Sequence, residues 1–217
     1  MERSMGWIAI VALAAVFGAS GFAAPARALP LISEVFYDAV GGDNGLSFVE
    51  LHGAPGSSLD GLVLEGVNGT DGGVAPRLTL TGVFSDSGFF VVADDDGAGT
   101  TAVAGAHLVT NFDLQNGPDS IVLRSGETVL DALAYGEFAP GEVAAGEGAA
   151  APDAPAGASL ARRFANVDTQ DNAADFVVLE APTPGAAPLA AVPEPGTALL
   201  ATIGLAGLAG LARGRRP

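Results

Sequence analysis

The sequence predicts an all-β fold, an antiparallel β-sandwich, on three observations. Short apolar runs rich in Val, Leu and Phe recur from Leu29 to about Ala145, each broken by Gly, Asp, Asn or Pro. Glycine (31) and proline (14) are abundant and lysine is absent, a balance that favours turns and strands over long helices. No stretch sustains a helical period long enough to supply the crossover that a parallel sheet requires.

Taken in order, "LISEVFYDAV", "SFVELHG", "DGLVLEGV", "RLTLTGVF", "GFFVVADDDG", "DSIVLRSG" and "TVLDALAYG" each read as a strand ending in turn chemistry. The run "FFVVA" suits a central strand buried on both faces, and "RSGE" (Arg124–Glu127) reads as a tight hairpin between two strands. Seven or so strands at this spacing indicate two packed antiparallel sheets. Gly136 to Gly157 is dominated by Ala, Gly and Pro and reads as a surface excursion with little apolar bulk. Beyond it, Leu160, Phe164, Phe176 and Val178 are expected to pack back on the sandwich, with "DFVVLE" as a last strand.

Both ends carry a different pattern. Arg3 and the free amino group precede an apolar run from Trp7 to Phe17, short for a membrane span and suited to a secretory signal. "ARA" at Ala26–Ala28 places a signal-peptidase cut after Ala28, so residues 1–28 are expected to be a helical signal peptide. Near the other end, Thr197 to Ala212 is a run of about sixteen apolar or small residues, marginal for a transmembrane helix at about 1.5 Å of rise per residue. Arg213, Arg215 and Arg216 follow it and form a cytoplasmic stop cluster, whereas Leu29 to Val192 holds only Arg77, Arg124, Arg162 and Arg163. That asymmetry matches an outward-facing domain held by a C-terminal stop. Ahead of the apolar run, two prolines flank Glu194 and keep the backbone extended, as a processing enzyme needs.

Pro193-Glu194-Pro195, a short apolar segment and a terminal arginine cluster, in that order, resemble the PEP-CTERM sorting signal of exosortase-processed bacterial proteins. The resemblance implies an exosortase-type enzyme as partner, transient anchoring in the inner membrane, and cleavage with transfer to the cell envelope or extracellular matrix. A permanent single-span anchor is the alternative reading of the same residues. The segments are then 1–28 (signal), 29–187 (domain), 188–192 (linker) and 193–217 (sorting signal).

A second resemblance rests on "LISEVFYDAVGGDNGLSFVELHG", "LDGLVLEG", "GFFVVAD", "LQNGPDSIVL", "VLDALAYG" and the closing "SLARR…DTQDNAADFVVLEAPTPG". Over Leu29 to about Ala187 these resemble the lamin-tail domain in its bacterial extracellular form. The resemblance implies an immunoglobulin-like sandwich and a non-catalytic module; "LHG" departs from the family's Asn-containing ending at that turn.

A formal charge of −16 repels phosphate backbones and sets nucleic acid aside as a partner. With no cysteine, disulfides, thiol nucleophiles and thiolate metal sites are excluded. No GxSxG, HExxH or P-loop pattern occurs, and His52 and His107 read as surface or loop residues. Glu34 and Glu50 hold similar places within apolar strands; a close carboxylate pair suits glycosidase-like acid/base work, and equally suits capping of backbone N–H groups, the favoured reading. Asp94, Asp95 and Asp96 follow the "FFVVA" strand and are candidates for Ca²⁺, without the alternating spacing of an EF-hand loop; a solvated turn needs no metal. Asp168, Asp171 and Asp175 carry the same ambiguity. No catalytic residue and no other cofactor is expected. The resulting expectation is an exported structural or adhesive module meeting extracellular polysaccharide or a surface protein. A hydrolase of matrix polysaccharide or phosphoester is the alternative.

Overall fold

The computed structural model describes residues 29–186. The expected signal peptide with its cut after Ala28, the linker, Pro193-Glu194-Pro195, the transmembrane segment and Arg213, Arg215 and Arg216 lie outside the described residues. Among the described residues no helix is long and apolar enough to cross a membrane.

Among the described residues ten strands form two sheets. They are β1 (Leu31–Phe36), β2 (Phe48–His52), β3 (Leu62–Asn68), β4 (Val74–Thr79), β5 (Phe89–Asp94), β6 (Leu108–Thr110), β7 (Asp119–Ser125), β8 (Thr128–Tyr135), β9 (Ser159–Arg162) and β10 (Phe176–Leu179). A single helical turn, α1 (Asn172–Asp175), precedes β10, with the Asp171 side chain accepting from Ala173 N–H at its start. One sheet runs β10-β9-β1-β2-β5-β6 and the other β4-β3-β7-β8. Side chains alternate along each strand, so Val49 and Leu51, Phe90 and Val92, Leu64, Ile121 and Leu123, and Leu133 meet between the sheets in one apolar core.

The expected all-β sandwich is therefore present, with three differences. The six-stranded sheet is mixed, because β6 pairs with β5 in parallel. A three-residue strand reached through the loop after β5 needs no helical crossover, so the absence of helices did not exclude it. The fourth strand lies at Val74–Thr79 and not along the whole of "RLTLTGVF"; it is the outer strand of its sheet, where Pro76 costs no ladder bond. Leu80 and Phe84, taken for the end of that strand, leave the ladder and enter the core. Finally, the Gly136–Gly157 excursion contributes buried Ala151 and Ala154 to the core, since alanine fits where the backbone runs close to the sheet.

Both outer faces are partly covered as well, which explains the unbroken burial of β1, β2 and β5. A bulge at Ser33 lets Ile32 and Val35 both reach the inner core while Glu34 and Phe36 turn outward. Outside the six-stranded sheet, Phe48, Val91 and Ala93 pack with Phe36, Val103 and Ala106. Outside the four-stranded sheet, Val67, Val122 and Ala132 pack with Ala145 from the excursion. Gly146 beside it is obligatory: an added Cβ would lie 2.3 Å from both Ala134 N and Asn172 Oδ1.

Candidate functional site

The acidic side chains singled out above fall into three separate places, and each is bound into the architecture in its own way. Glu34 and Glu50 are directly paired across β1 and β2, on the outer face of the six-stranded sheet. Both are buried because the segment after β10, Pro182–Ala186, lies over them. Glu34 accepts from Ser159 Oγ (2.6 Å), Thr183 N (2.8 Å) and Thr183 Oγ1 (2.7 Å). Glu50 accepts from Ser33 Oγ at 2.7 Å and from Gly185 N. Burial raises the Glu50 carboxyl to about 7, against the lowering effect of the Ser33 and Gly185 hydrogen bonds, and the Glu34 charge raises it further. The pair thus forms a clasp whose oxygens are taken up by hydroxyls and backbone N–H groups of β9, the closing segment and Ser33 of β1. This is the capping arrangement favoured from the sequence; acid/base work would need those oxygens turned toward a substrate.

Asp94, Asp95 and Asp96 do not point at a common centre. Asp94 is buried, its two oxygens accepting from Gly45 N and Phe112 N, each at 3.0 Å, and so ties two loops to the end of β5. Asp95 accepts from Gly97 N. Asp96 is exposed and accepts from Ala98 N (2.9 Å), Thr100 N (3.2 Å) and Thr100 Oγ1 (2.6 Å). These hydrogen bonds, led by that from Thr100, lower its pKa. A turn of this kind satisfies its carboxylates with local N–H and O–H groups.

The third place centres on Arg162, which the sequence offered only as one of four scattered basic residues. Arg162 lies in β9 and its side chain, 1 % exposed, runs between the two sheets. Its Nη2 donates to both oxygens of Asp131 in β8 (2.9 and 2.8 Å), Nη1 to Asp175 Oδ2 (2.8 Å) and Val167 O (3.0 Å), and Nε to Ile32 O (3.0 Å). The Phe176 ring lies 4.7 Å from the guanidinium carbon. Asp131 in turn accepts from Ile32 N at 2.6 Å, so one bidentate ion pair joins β8 of one sheet to β1 and β9 of the other. Burial raises the Asp131 carboxyl and Arg162 opposes it.

Of the Asp168, Asp171 and Asp175 group, Asp175 therefore belongs to the Arg162 centre, where it also accepts from Thr169 N (2.9 Å) and Thr169 Oγ1 (2.7 Å). Asp171 starts α1. Asp168 stands 3.6 Å from Arg162 Nη1. Among the described residues, Asp131, Glu147 and Asp168 are the acids whose carboxylate oxygens come within 4.8 Å of one another. The positive charge beside them is the Arg162 guanidinium. Glu147 was not singled out from the sequence; it sits in the Ala- and Gly-rich excursion, with no local pattern to mark it.

The histidines lie elsewhere. His107 Nδ1 accepts from Val91 N at 3.1 Å and its ring stacks on Phe90, while the His52 ring packs against Phe89 and its pKa is lowered by burial. Among the described residues neither ring is hydrogen-bonded to a carboxylate. A shallow depression of about 570 Å³ is lined by Gly117, Pro118, Gly136, Glu137, Pro152 and Asp153. None of these residues belongs to the clasp or the Arg162 centre, and Asp153 there is engaged by Tyr37 Oη at 2.8 Å.

The comparisons with known proteins concern the C-terminal segment. The sequence model of the PEP-CTERM protein-sorting motif matches residues 191–216. No curated protein and no solved structure matches the chain. The match spans Pro193-Glu194-Pro195, the apolar run and Arg213, Arg215 and Arg216, and it marks the chain for export and exosortase-dependent sorting to the cell envelope.

Proposed function

We propose that the chain is a non-catalytic structural or adhesive module: a lamin-tail-like, immunoglobulin-like sandwich carried to the cell envelope or extracellular matrix by its C-terminal signal. In this reading the signal anchors the chain transiently in the inner membrane until an exosortase-type enzyme cuts near Pro193-Glu194-Pro195. The single observation that carries the non-catalytic part is the state of the buried acids. Glu34, Glu50, Asp94, Asp131 and Asp175 all accept from backbone N–H, hydroxyl or guanidinium groups. A hydrolytic site needs at least two such groups free and facing one cleft. The lamin-tail resemblance is supported by the closing segment, whose Thr183 and Gly185 are hydrogen-bonded to the glutamates of "ISEVF" and "FVELH".

The experiment expresses the full-length chain with its own exosortase system, then fractionates cells and medium. A mature product ending near the motif and lacking Arg216 is expected in the envelope or medium, measured by intact mass. Retention of Arg216 in membranes would leave a simple anchor. Turnover of a matrix glycan or phosphoester by the purified product, abolished by one acidic substitution, would replace the module with a hydrolase.

A further inference from the structure

β8 is the outer strand of its sheet, and eight residues of open edge invite pairing with another chain. The excursion after it covers part of that edge. Ala151 N donates to Ala134 O (2.8 Å), and Asn172 Oδ1 accepts from both Ala134 N and Glu147 N (2.9 Å each). Asn172 Nδ2 donates to Ala132 O at 2.8 Å, and Asn172 N to Glu147 O at 2.9 Å. Glu147 is thereby placed with its carboxyl against Asp131 and Asp168.

This cover ends on an electrostatic conflict. Facing Glu147 are Asp131 from β8, Arg162 from β9 and Asp168 from the following loop, while Asp171 accepts from Ala149 N and Asp175 is paired with Arg162. The one guanidinium is committed to Asp131 and Asp175. Glu147 Oε2 is enclosed and no N–H or O–H reaches it. An ionised carboxylate there has neither a donor nor a free counter-charge. A neutral carboxyl has an O–H to give, and the Asp168 carboxylate, in the same cluster, can accept it.

We propose that Glu147 holds a proton shared with Asp168, and that this hydrogen bond latches the Gly136–Ala150 cover over the β8 edge and releases it as the medium becomes more alkaline. The proton stays because burial, reinforced by the Asp131 and Asp168 charges and opposed by Arg162, raises the Glu147 carboxyl to about 7. The sign follows from that direction. The latched form binds the proton more tightly than the open form, so latching is complete at the acid end, weakens as pH rises from the ordinary glutamate range, and levels off above about 7. The device is independent of the proposed function and holds whether the module adheres or catalyses.

Hydrogen exchange of the full-length chain at pH 5 and pH 8, corrected for intrinsic rates, tests it through the amides of residues 143–151 and 132–134. Wild-type protection is expected to fall roughly tenfold or more between the two conditions. Glu147→Gln, whose amide keeps a donor toward Asp168, is expected to stay protected at both, and Glu147→Ala to be equally open at both. Equal wild-type protection at the two pH values would overturn the proposal. So would a Glu147→Gln chain that keeps the wild-type pH dependence or is open throughout.

Discussion

Replacing Arg162 by methionine keeps much of the side-chain volume and removes the charge. In the native protein that guanidinium donates five hydrogen bonds, to Asp131, Asp175, Val167 and Ile32, and it stacks on Phe176. Without it, Asp131 (0 % exposed) and Asp175 (4 %) remain between the sheets as uncompensated carboxylates. Breaking one side of a buried pair in this way costs about 3–5 kcal/mol, more than the pair itself contributes, because the remaining charge cannot return to water. For a domain of this size that corresponds to a fall in Tm of roughly 10 °C or more. Equilibrium unfolding in urea, monitored by tryptophan-independent circular dichroism, measures the change as a lower midpoint at similar slope. The loss has a pH signature. Asp131 in Arg162→Met has its carboxyl raised above its unfolded value, because burial is no longer opposed by the guanidinium, so stability returns as pH falls through the raised value and is complete once the unfolded carboxylate range is reached. The double variant Arg162→Met/Asp131→Asn should recover part of the loss at neutral pH. A cost below about 1 kcal/mol, or no recovery in acid, would refute the assignment of this ion pair as the joint between the sheets.

Three further outcomes follow from the same structure. Glu50 is raised to about 7, so its folded form prefers the proton; stability is fullest below the unfolded glutamate range and falls as pH rises to about 7, by up to about 3 kcal/mol. Glu50→Gln should flatten that part of the thermal-stability profile between pH 4.5 and 7.5, and an unchanged slope would exclude Glu50 as its source. Thr183→Ala removes the hydroxyl bonded to Glu34 Oε2 at 2.7 Å and should cost about 1–2 kcal/mol, with faster proteolytic cleavage after Leu179 as the local readout. Asp96→Ala, on an exposed turn, should change stability by less than about 0.5 kcal/mol and leave the chain's melting unchanged on adding millimolar Ca²⁺; a calcium-dependent rise lost in this variant would restore the metal reading.

The layering of the fold was legible because bulky strands announce themselves: "FFVVA" reads as buried on both faces and is, and "RSGE" joins β7 to β8 as expected. What escaped were elements too short to show a period. Leu108–Thr110 and Ser159–Arg162 have three and four residues, and their pairing is decided by neighbours distant in sequence. Alanine concealed the rest. Ala151 and Ala154 look like surface filler by composition, yet they are buried because the backbone itself is close-packed there. The clasp could be anticipated as two glutamates inside apolar strands, but not its partners Thr183 and Gly185, which lie 149 and 135 positions later in sequence. Arg162 had a signal that went unread: an Arg-Arg step in a lysine-free chain, followed by Asp168, Asp171, Asp175 and an aromatic residue. Such isolation of positive charge points to a buried counter-ion more than to a solvated face.

The place where the chain leaves the sandwich has a mechanical consequence. Thr183 and Gly185 are gripped by glutamates of β1 and β2, the middle pair of the six-stranded sheet, and not by a strand at its margin. A pull transmitted along the backbone from whatever the C-terminal end is fixed to first meets several bonds loaded in parallel at the centre of the molecule. Tension is thereby taken up in the middle of the six-stranded sheet instead of peeling a strand from its margin.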